Sequence, residues 1–274
     1  MTAQDNSMKH SISFGTSCMN RLPHLEHIYI DNIETALSVS SDIKFVLLNY
    51  NSQDGMHKWV RSELKKYIDK GIVKYLHTTK PTTFSQAITK NILTKHGLCD
   101  VVSLLDADNK LTSLYVETLL HCYNQPDTYY ADKRDWFSSK HDHRDAQNRL
   151  IASSKHLLVH ARERQHVSGR ITCYKKDLLQ IGGYDESMTG WGYEEEDFMN
   201  RHQRHFNQPK KLLVADQYKQ PKGFINLLLS TNHLNIPTTS RPELQSRHEN
   251  KMISQENIKN NILIANASKE WGEL

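Results

Sequence analysis

Much that would sort this 274-residue sequence quickly into a class is missing from it. Its four cysteines, Cys18, Cys99, Cys122 and Cys173, include no Cys-x-x-Cys pair, which excludes a zinc knuckle and a dithiol redox motif and predicts reduced, mostly buried thiols. No apolar run approaches the ~20 residues that span a bilayer. Met1 to His10 is polar and carries no hydrophobic signal core, so the expectation is a cytoplasmic protein, with room for peripheral association at the inner face of the plasma membrane. Neither sign of charge dominates: 35 basic against 31 acidic residues leave +4. That balance demands no nucleic-acid face, and Lys65-Lys66 and Lys210-Lys211 lack interleaved aromatics for base stacking. Phe14-Gly15-Thr16-Ser17-Cys18 is no glycine-rich basic phosphate loop, which weighs against a nucleotidyltransferase. There is no internal repeat or low-complexity tract.

What is present is an alternation of short apolar runs with amphipathic stretches, the pattern of parallel strands joined by helices in an α/β fold. Ser11 to Ser17, Ile43 to Leu48 and Ile72 to Leu76 read as strands. Val60, Leu64, Tyr67 and Ile68 have helical spacing that ends at Gly71. A second helix runs from Phe84 towards Gly97, with Thr82 or Thr83 as N-cap. Val101 to Leu105 reads as a buried strand, and Ser168 to Tyr174 as another. Leu178 to Tyr184 reads as a short helix ended by glycine, and Asp197 to Phe206 as a helix after an acidic cluster. Asp132 to Arg149 is a polar excursion; beyond Pro221 the pattern is helical and polar, broken at Pro237 and Pro242.

Two blocks carry chemistry. Asp106 and Asp108 follow the Val101–Leu105 strand, and in open parallel sheets ligands bind outside the carboxyl ends of strands. Two carboxylates one residue apart there can hold a hard divalent cation; a solvated turn is the bland alternative. Glu194, Glu195, Glu196 and Asp197 follow Gly190-Trp191-Gly192-Tyr193. An acidic first turn suits a helix dipole, but the glycines and tryptophan point further. Glycine permits close approach of a ligand, tryptophan stacks on a sugar, and a carboxylate can take a hydroxyl proton.

These blocks resemble a family 2-type glycosyltransferase of the GT-A fold, and several of them, in the same order, resemble the β-1,4-galactosyltransferases. Asn20-Arg21-Leu22-Pro23-His24-Leu25 is similar to that group's Asn-Arg-x-x-His-Leu segment, while Phe84 with Lys90-Asn91 is similar to the helix before the Asp-x-Asp strand, and Leu105 to Asn109 to the Asp-Ala-Asp-Asn form, of family 2. Gly169-Arg170-Ile171, Gly182-Gly183-Tyr184-Asp185 and Gly190 to Asp197 resemble its acceptor-side block. The resemblance implies a Rossmann-like, mixed and mainly parallel sheet flanked by helices, with a helical C-terminal tail. It divides the chain into a catalytic domain over 1–220, with a nucleotide-sugar half at about 11–110 and an acceptor half at about 111–220, and an extension over 221–274 packed on it.

By the same resemblance, Asn20, Arg21, Asp54, Lys90, Asn91, Asp106 and Arg170 bind the nucleotide-sugar, and Trp191, Gly192 and Tyr193 line the substrate. Asp108, Asp106 and His233 hold Mn2+ or Mg2+, with His248 the other candidate for the histidine. Glu195 occupies the position of the base, where aspartate is usual, and Glu194 and Asp197 are the alternatives. The implied activity is inverting transfer from a nucleotide-sugar, with UDP-sugar favoured, to a saccharide or lipid-linked saccharide in surface polysaccharide synthesis, such as capsule or lipopolysaccharide; the rival is a non-catalytic carbohydrate- or nucleotide-binding module.

Overall fold

The computed structural model describes residues 10–124, 129–131, 150–152, 157–161, 171–207, 211–214, 224–226 and 242–274. The first half alternates strand and helix: β1 (Ile12–Cys18), α1 (Leu22–Val39), β2 (Lys44–Tyr50), α2 (Met56–Glu63), α3 (Lys65–Asp69), β3 (Val73–Thr78), α4 (Gln86–Lys95) and β4 (Val101–Leu105). The short β5 (Asn109–Leu111) and α5 (Ser113–Asn124) follow. After these come β6 (Tyr129–Ala131), β7 (Leu150–Ala152), β8 (Leu157–Ala161), β9 (Ile171–Tyr174), α6 (Lys175–Gln180), α7 (Glu194–Phe206), β10 (Lys211–Val214), β11 (Phe224–Asn226) and α8 (Pro242–Lys259).

Seven strands form the main sheet in the order β10-β8-β9-β4-β1-β2-β3. Strands β3, β2, β1 and β4 run parallel, β9 alone opposes its neighbours, and β8 and β10 are parallel to each other. This is the mixed, mainly parallel α/β sheet expected. Its central strands are buried on both faces, as helices on both sides require. Phe14, Phe45, Leu47, Val101 and Leu105 pack with α1, α2 and α5 side chains on one face. Val46, Leu48, Val102 and Leu104 pack with Ile92, Leu178 and Phe198 on the other. The side-by-side parallel strands place the ends of β1 and β4 next to each other, so the residues after Cys18 and after Leu105 open at one edge.

Several expected boundaries move. The Val60–Ile68 pattern is two helices meeting at Leu64, which is fully buried and keeps the apolar spacing continuous across the break. The N-cap of α4 is Ser85, whose hydroxyl accepts the Ile88 N–H at 3.4 Å, rather than Thr82 or Thr83. The acidic cluster does not precede a helix but forms the first turn of α7, entered through Tyr193 in the left-handed region at φ 67°. The segment beyond Pro221 is not wholly helical: Phe224–Asn226 pairs antiparallel with β5. Pro242 starts α8 instead of breaking a helix, a position where its missing N–H costs nothing. The polar stretch Asp132 to Arg149 lies outside the described residues. Cys18, Cys99 and Cys173 are buried and free, as expected of reduced thiols. Among the described residues no helix is long and apolar enough to cross a membrane.

The chain after α8 folds back onto the turn that follows α6. Ala265 N–H donates to Ile181 O at 2.9 Å. Asn266 donates to the carbonyls of Gly182 and Tyr184 at 2.8 and 2.7 Å. Gly182, at φ +72°, makes this possible, because a Cβ there would lie 1.9 Å from Ala265 O. Gly182→Ala therefore combines left-handed strain with a backbone clash and should destabilise the protein by about 2 kcal/mol or more. Urea unfolding of the purified variant checks this, and an unshifted midpoint would show that the seam is loose.

Candidate active site

Lys90, on α4, is 3% exposed and forms an ion pair with Glu195 in the first turn of α7. Burial alone would lower the Lys90 pKa, but Glu195, Glu194 and Asp106 act on it together and hold it above the ordinary lysine value. The ammonium thus couples electrostatically to both acidic blocks singled out in the sequence: the Asp-x-Asp turn after β4 and the carboxylates opening α7. Its Nζ also stands 5.4 Å from the centre of the buried Tyr184 ring.

One ammonium faces two adjacent carboxyl groups, and they divide accordingly. Burial works to raise Glu195, but Lys90 and the hydrogen bond with Glu194 outweigh it and hold Glu195 below its usual range. Burial, then the charge of Glu195, push Glu194 up to about 8. Neither Glu194 oxygen has a hydrogen-bond donor among the described residues. At neutral pH the pair is therefore an ionised Glu195 beside a protonated Glu194.

The Asp-x-Asp turn is braced from within. Asn109 Oδ1 accepts the Asp106 N–H at 3.1 Å and Asn109 Nδ2 donates to Asp108 at 3.0 Å. Asn32 of α1 clasps the next turn, donating to Asn109 O at 2.8 Å and accepting from Leu111 N–H at 2.7 Å. Asp106 and Asp108 are each half-buried. Two hard oxygen donors at a strand end suit Mn2+ or Mg2+. Among the described residues no group of three or more His, Cys, Asp or Glu gathers as a metal site. His233 lies outside the described residues, and His248 is exposed on α8.

Other expected site residues turn out to hold the frame. Asp197 is the clearest correction to the set of base candidates: both its oxygens are engaged, by Arg201 Nε at 2.7 Å and Asn257 Nδ2 at 3.0 Å. Arg201 is fully buried and also donates to the carbonyls of Ile181 and Gly183 at 3.0 and 2.8 Å, so the pair bolts α7 to the glycine turn. Asn91 spends its amide on Tyr184 N–H and O and on Glu186. Asp54 caps α1 by accepting Leu22 N–H at 2.7 Å, and Asn20, at φ 56°, ties the end of β1 to Ser52 and Gln53. Arg21 is exposed beside them as the N-cap residue of α1. Arg170 is outside the described residues. The Gly15 region is no phosphate loop: β1 runs straight through it, with α4 packed against it at Leu93.

The glycines expected to face substrate admit protein rather than leaving open space. A Cβ on Gly190 would lie 2.8 Å from Ser246 Oγ and one on Gly192 2.9 Å from Arg247 Cγ, both on α8. Asn250 fastens this contact, donating to Thr189 O and Gly192 O at 2.9 and 2.8 Å. Trp191 remains 45% exposed and Tyr193 is half-buried. Arg201 could have been found from its i,i+4 spacing to Asp197; nothing local marks Asn250, Asn257 or Arg247.

A family model described as glycosyltransferase like family 2 matches residues 24–226. A search of curated protein sequences returns no match. Among solved structures, the Mycobacterium tuberculosis glucosyl-3-phosphoglycerate synthase, in complex with Mn2+, UDP and phosphoglyceric acid, is 11% identical with a TM-score of 0.56, covering 94% of this chain and 80% of that one. A mannosyltransferase from Pyrobaculum calidifontis, in complex with GDP-Man and Mn2+, is 12% identical with a TM-score of 0.52, covering 90% and 70%. The catalytic domain of Drosophila β1,4-galactosyltransferase 7, in complex with xylobiose, is 13% identical with a TM-score of 0.50, covering 87% and 79%. At such identities the likeness is one of fold, and the fold is GT-A.

The protonation of Glu194 has a measurable consequence. Its folded pKa, about 8, lies above the ordinary glutamate value of 4.5, so the native state holds a proton that the unfolded chain releases. Stability from this group is complete below about pH 4.5 and is lost as pH rises through about 8, with a limiting slope of about 1.4 kcal/mol per pH unit. Urea unfolding from pH 5 to 8.5 should show that decline, and Glu194→Gln should flatten it; identical slopes in both proteins would count against a protonated Glu194.

Proposed function

The chain belongs to the glycosyltransferase family 2-like proteins, and on that premise we propose that it moves a sugar from a nucleotide-sugar to an acceptor hydroxyl, with Glu195 as the base. The observation that carries this reading is the buried Lys90–Glu195 pair beside a protonated Glu194, directly after Trp191-Gly192-Tyr193. A base must be unprotonated before it can act, and Lys90 secures that for Glu195 while Glu194 cannot compete for the role at neutral pH.

In the proposed step the acceptor O–H gives its proton to Glu195. The oxygen lone pair forms the bond to the anomeric carbon as the bond from that carbon to the diphosphate breaks, and the electron pair leaves with the nucleoside diphosphate. A single displacement of this kind inverts configuration. Asp106 and Asp108 would hold the divalent cation, Mn2+ or Mg2+, with His233 the proposed further ligand. A cation bound there supplies charge neutralisation to the departing diphosphate. Lys90 has a second use in this scheme, since it adds fixed positive potential beside Asp106.

We assign UDP-sugar as donor, with Asn20 and Arg21 near the nucleotide, and Trp191 as the platform for the sugar ring. The donor assignment follows the sequence blocks around Asn20 and Asp106. A cell-surface glycan or glycolipid as acceptor, with the enzyme at a membrane face, follows from analogy with such enzymes. The proposed division remains a catalytic domain over 1–220 and an extension over 221–274, supported by the way α8 and residues 265–274 close on Gly182 to Tyr193.

The test is nucleotide release from a panel of UDP- and GDP-sugars with Mn2+. Glu195→Gln and Asp108→Ala should each lower turnover by about 100-fold or more, with the fold intact by circular dichroism. EDTA should silence the wild type, and Mn2+ should restore it. Near-normal turnover in either variant removes that residue from the scheme.

A further inference from the structure

Helix α8 brings one charged side chain to the substrate face that the reaction scheme does not use. Arg247 places its guanidinium carbon 5.6 Å from the centre of the Trp191 ring and 5.8 Å from that of Tyr193, within cation–π distance of both. Gly192 allows this approach, as its missing Cβ would sit 2.9 Å from Arg247 Cγ. The helix is held in that register by Ser246 on the Trp191 backbone and by Asn250 on Thr189 and Gly192. Arg247 is thus presented on a fixed support, next to an exposed tryptophan, three residues before the carboxylates that open α7.

Among the described residues no carboxylate forms an ion pair with Arg247. Glu249, two residues on, instead accepts a hydrogen bond from Gln245 at 2.9 Å. A guanidinium interacting with aromatic rings still carries five N–H donors and no acceptor, in a planar fork that matches carboxylate and phosphate oxygens.

We propose that Arg247, held against Trp191 and Tyr193, selects an anionic acceptor: a saccharide whose ring lies on Trp191 and whose carboxylate or phosphate takes the guanidinium fork. This rests on the reading of the Trp191–Glu195 segment as the acceptor side of a glycosyltransferase. The neutral rings and the cation divide the work, with stacking contributing to any sugar and Arg247 contributing only where the sugar carries negative charge. Preference for the anion is then an electrostatic effect that weakens with salt.

The full chain, with UDP and Mn2+ present, is titrated with methyl glucoside, methyl glucuronide and methyl glucoside 6-phosphate, read by ligand-observed NMR. At least one of the two anionic glycosides should bind about tenfold or more tighter than the neutral one, and which of them does so identifies the anion as carboxylate or phosphate. Arg247→Gln, which keeps length and loses charge, should abolish the ratio, and Arg247→Ala should do the same. Raising NaCl from about 50 to about 300 mM should shrink the ratio in the wild type. Equal binding of all three glycosides, no binding of any, or a ratio that survives both substitutions overturns the proposal. Nucleotide release from the sugar-nucleotide panel is measured separately, so a chain that turns over donor yet shows no anion preference refutes this proposal alone, and a chain with no turnover refutes the underlying reading.

Discussion

A single buried ammonium organises the site. Lys90 comes from α4 on one face of the sheet, and desolvation would expel or neutralise it unless carboxylates surround it. Meeting that requirement draws the first turn of α7 against α4 and sets both within the field of Asp106 at the end of β4. The proton inventory then follows from counting: one positive charge satisfies one adjacent carboxylate, Glu195, and the second, Glu194, keeps its proton. Protonation and geometry are consequences of the same buried charge.

Around this charged centre the frame is held largely by neutral amides. Asn91 carries Tyr184, Asn250 carries Thr189 and Gly192, Asn257 joins Asp185 to Asp197, and Asn266 carries Gly182 and Tyr184. An amide offers both donor and acceptor, so one side chain can satisfy both directions of an exposed backbone without adding charge to a site already dense with it. Three of these four residues lie beyond residue 241, which makes the C-terminal segment part of the scaffold for the glycine turn and the Trp191 segment.

The strands and the Asp-x-Asp turn were legible because each depends on a short window: apolar runs for β2 and β4, apolar residues at alternate positions for β1, and two carboxylates at a strand end. The acidic block was legible as a local run of carboxylates for similar reasons. Its internal roles were not, because Glu194, Glu195 and Asp197 are chemically near-equivalent in sequence and differ only in what α4, α6 and α8 bring to them. The glycines at 190 and 192 show the same limit: glycine signals close approach, but the approaching group is helix α8. Pro242 and the Phe224 strand show the limit from the other side, since pairing with β5 and a helix start are settled by partners more than 100 residues distant or by chain direction after the proline.

By itself the sequence determined the layered α/β architecture, the carboxyl-end placement of Asp106 and Asp108, and the run of four carboxylates at 194–197, all of which follow from local periodicity and local charge, whereas the start of α7 within that run was decided by the fold. Tertiary structure alone decided which carboxylate is ionised, which is protonated and which is structural, and it alone set Arg247 against Trp191. The physical reason is that pKa values and side-chain contacts depend on burial and on neighbours brought from remote parts of the chain, and no window of sequence contains those neighbours.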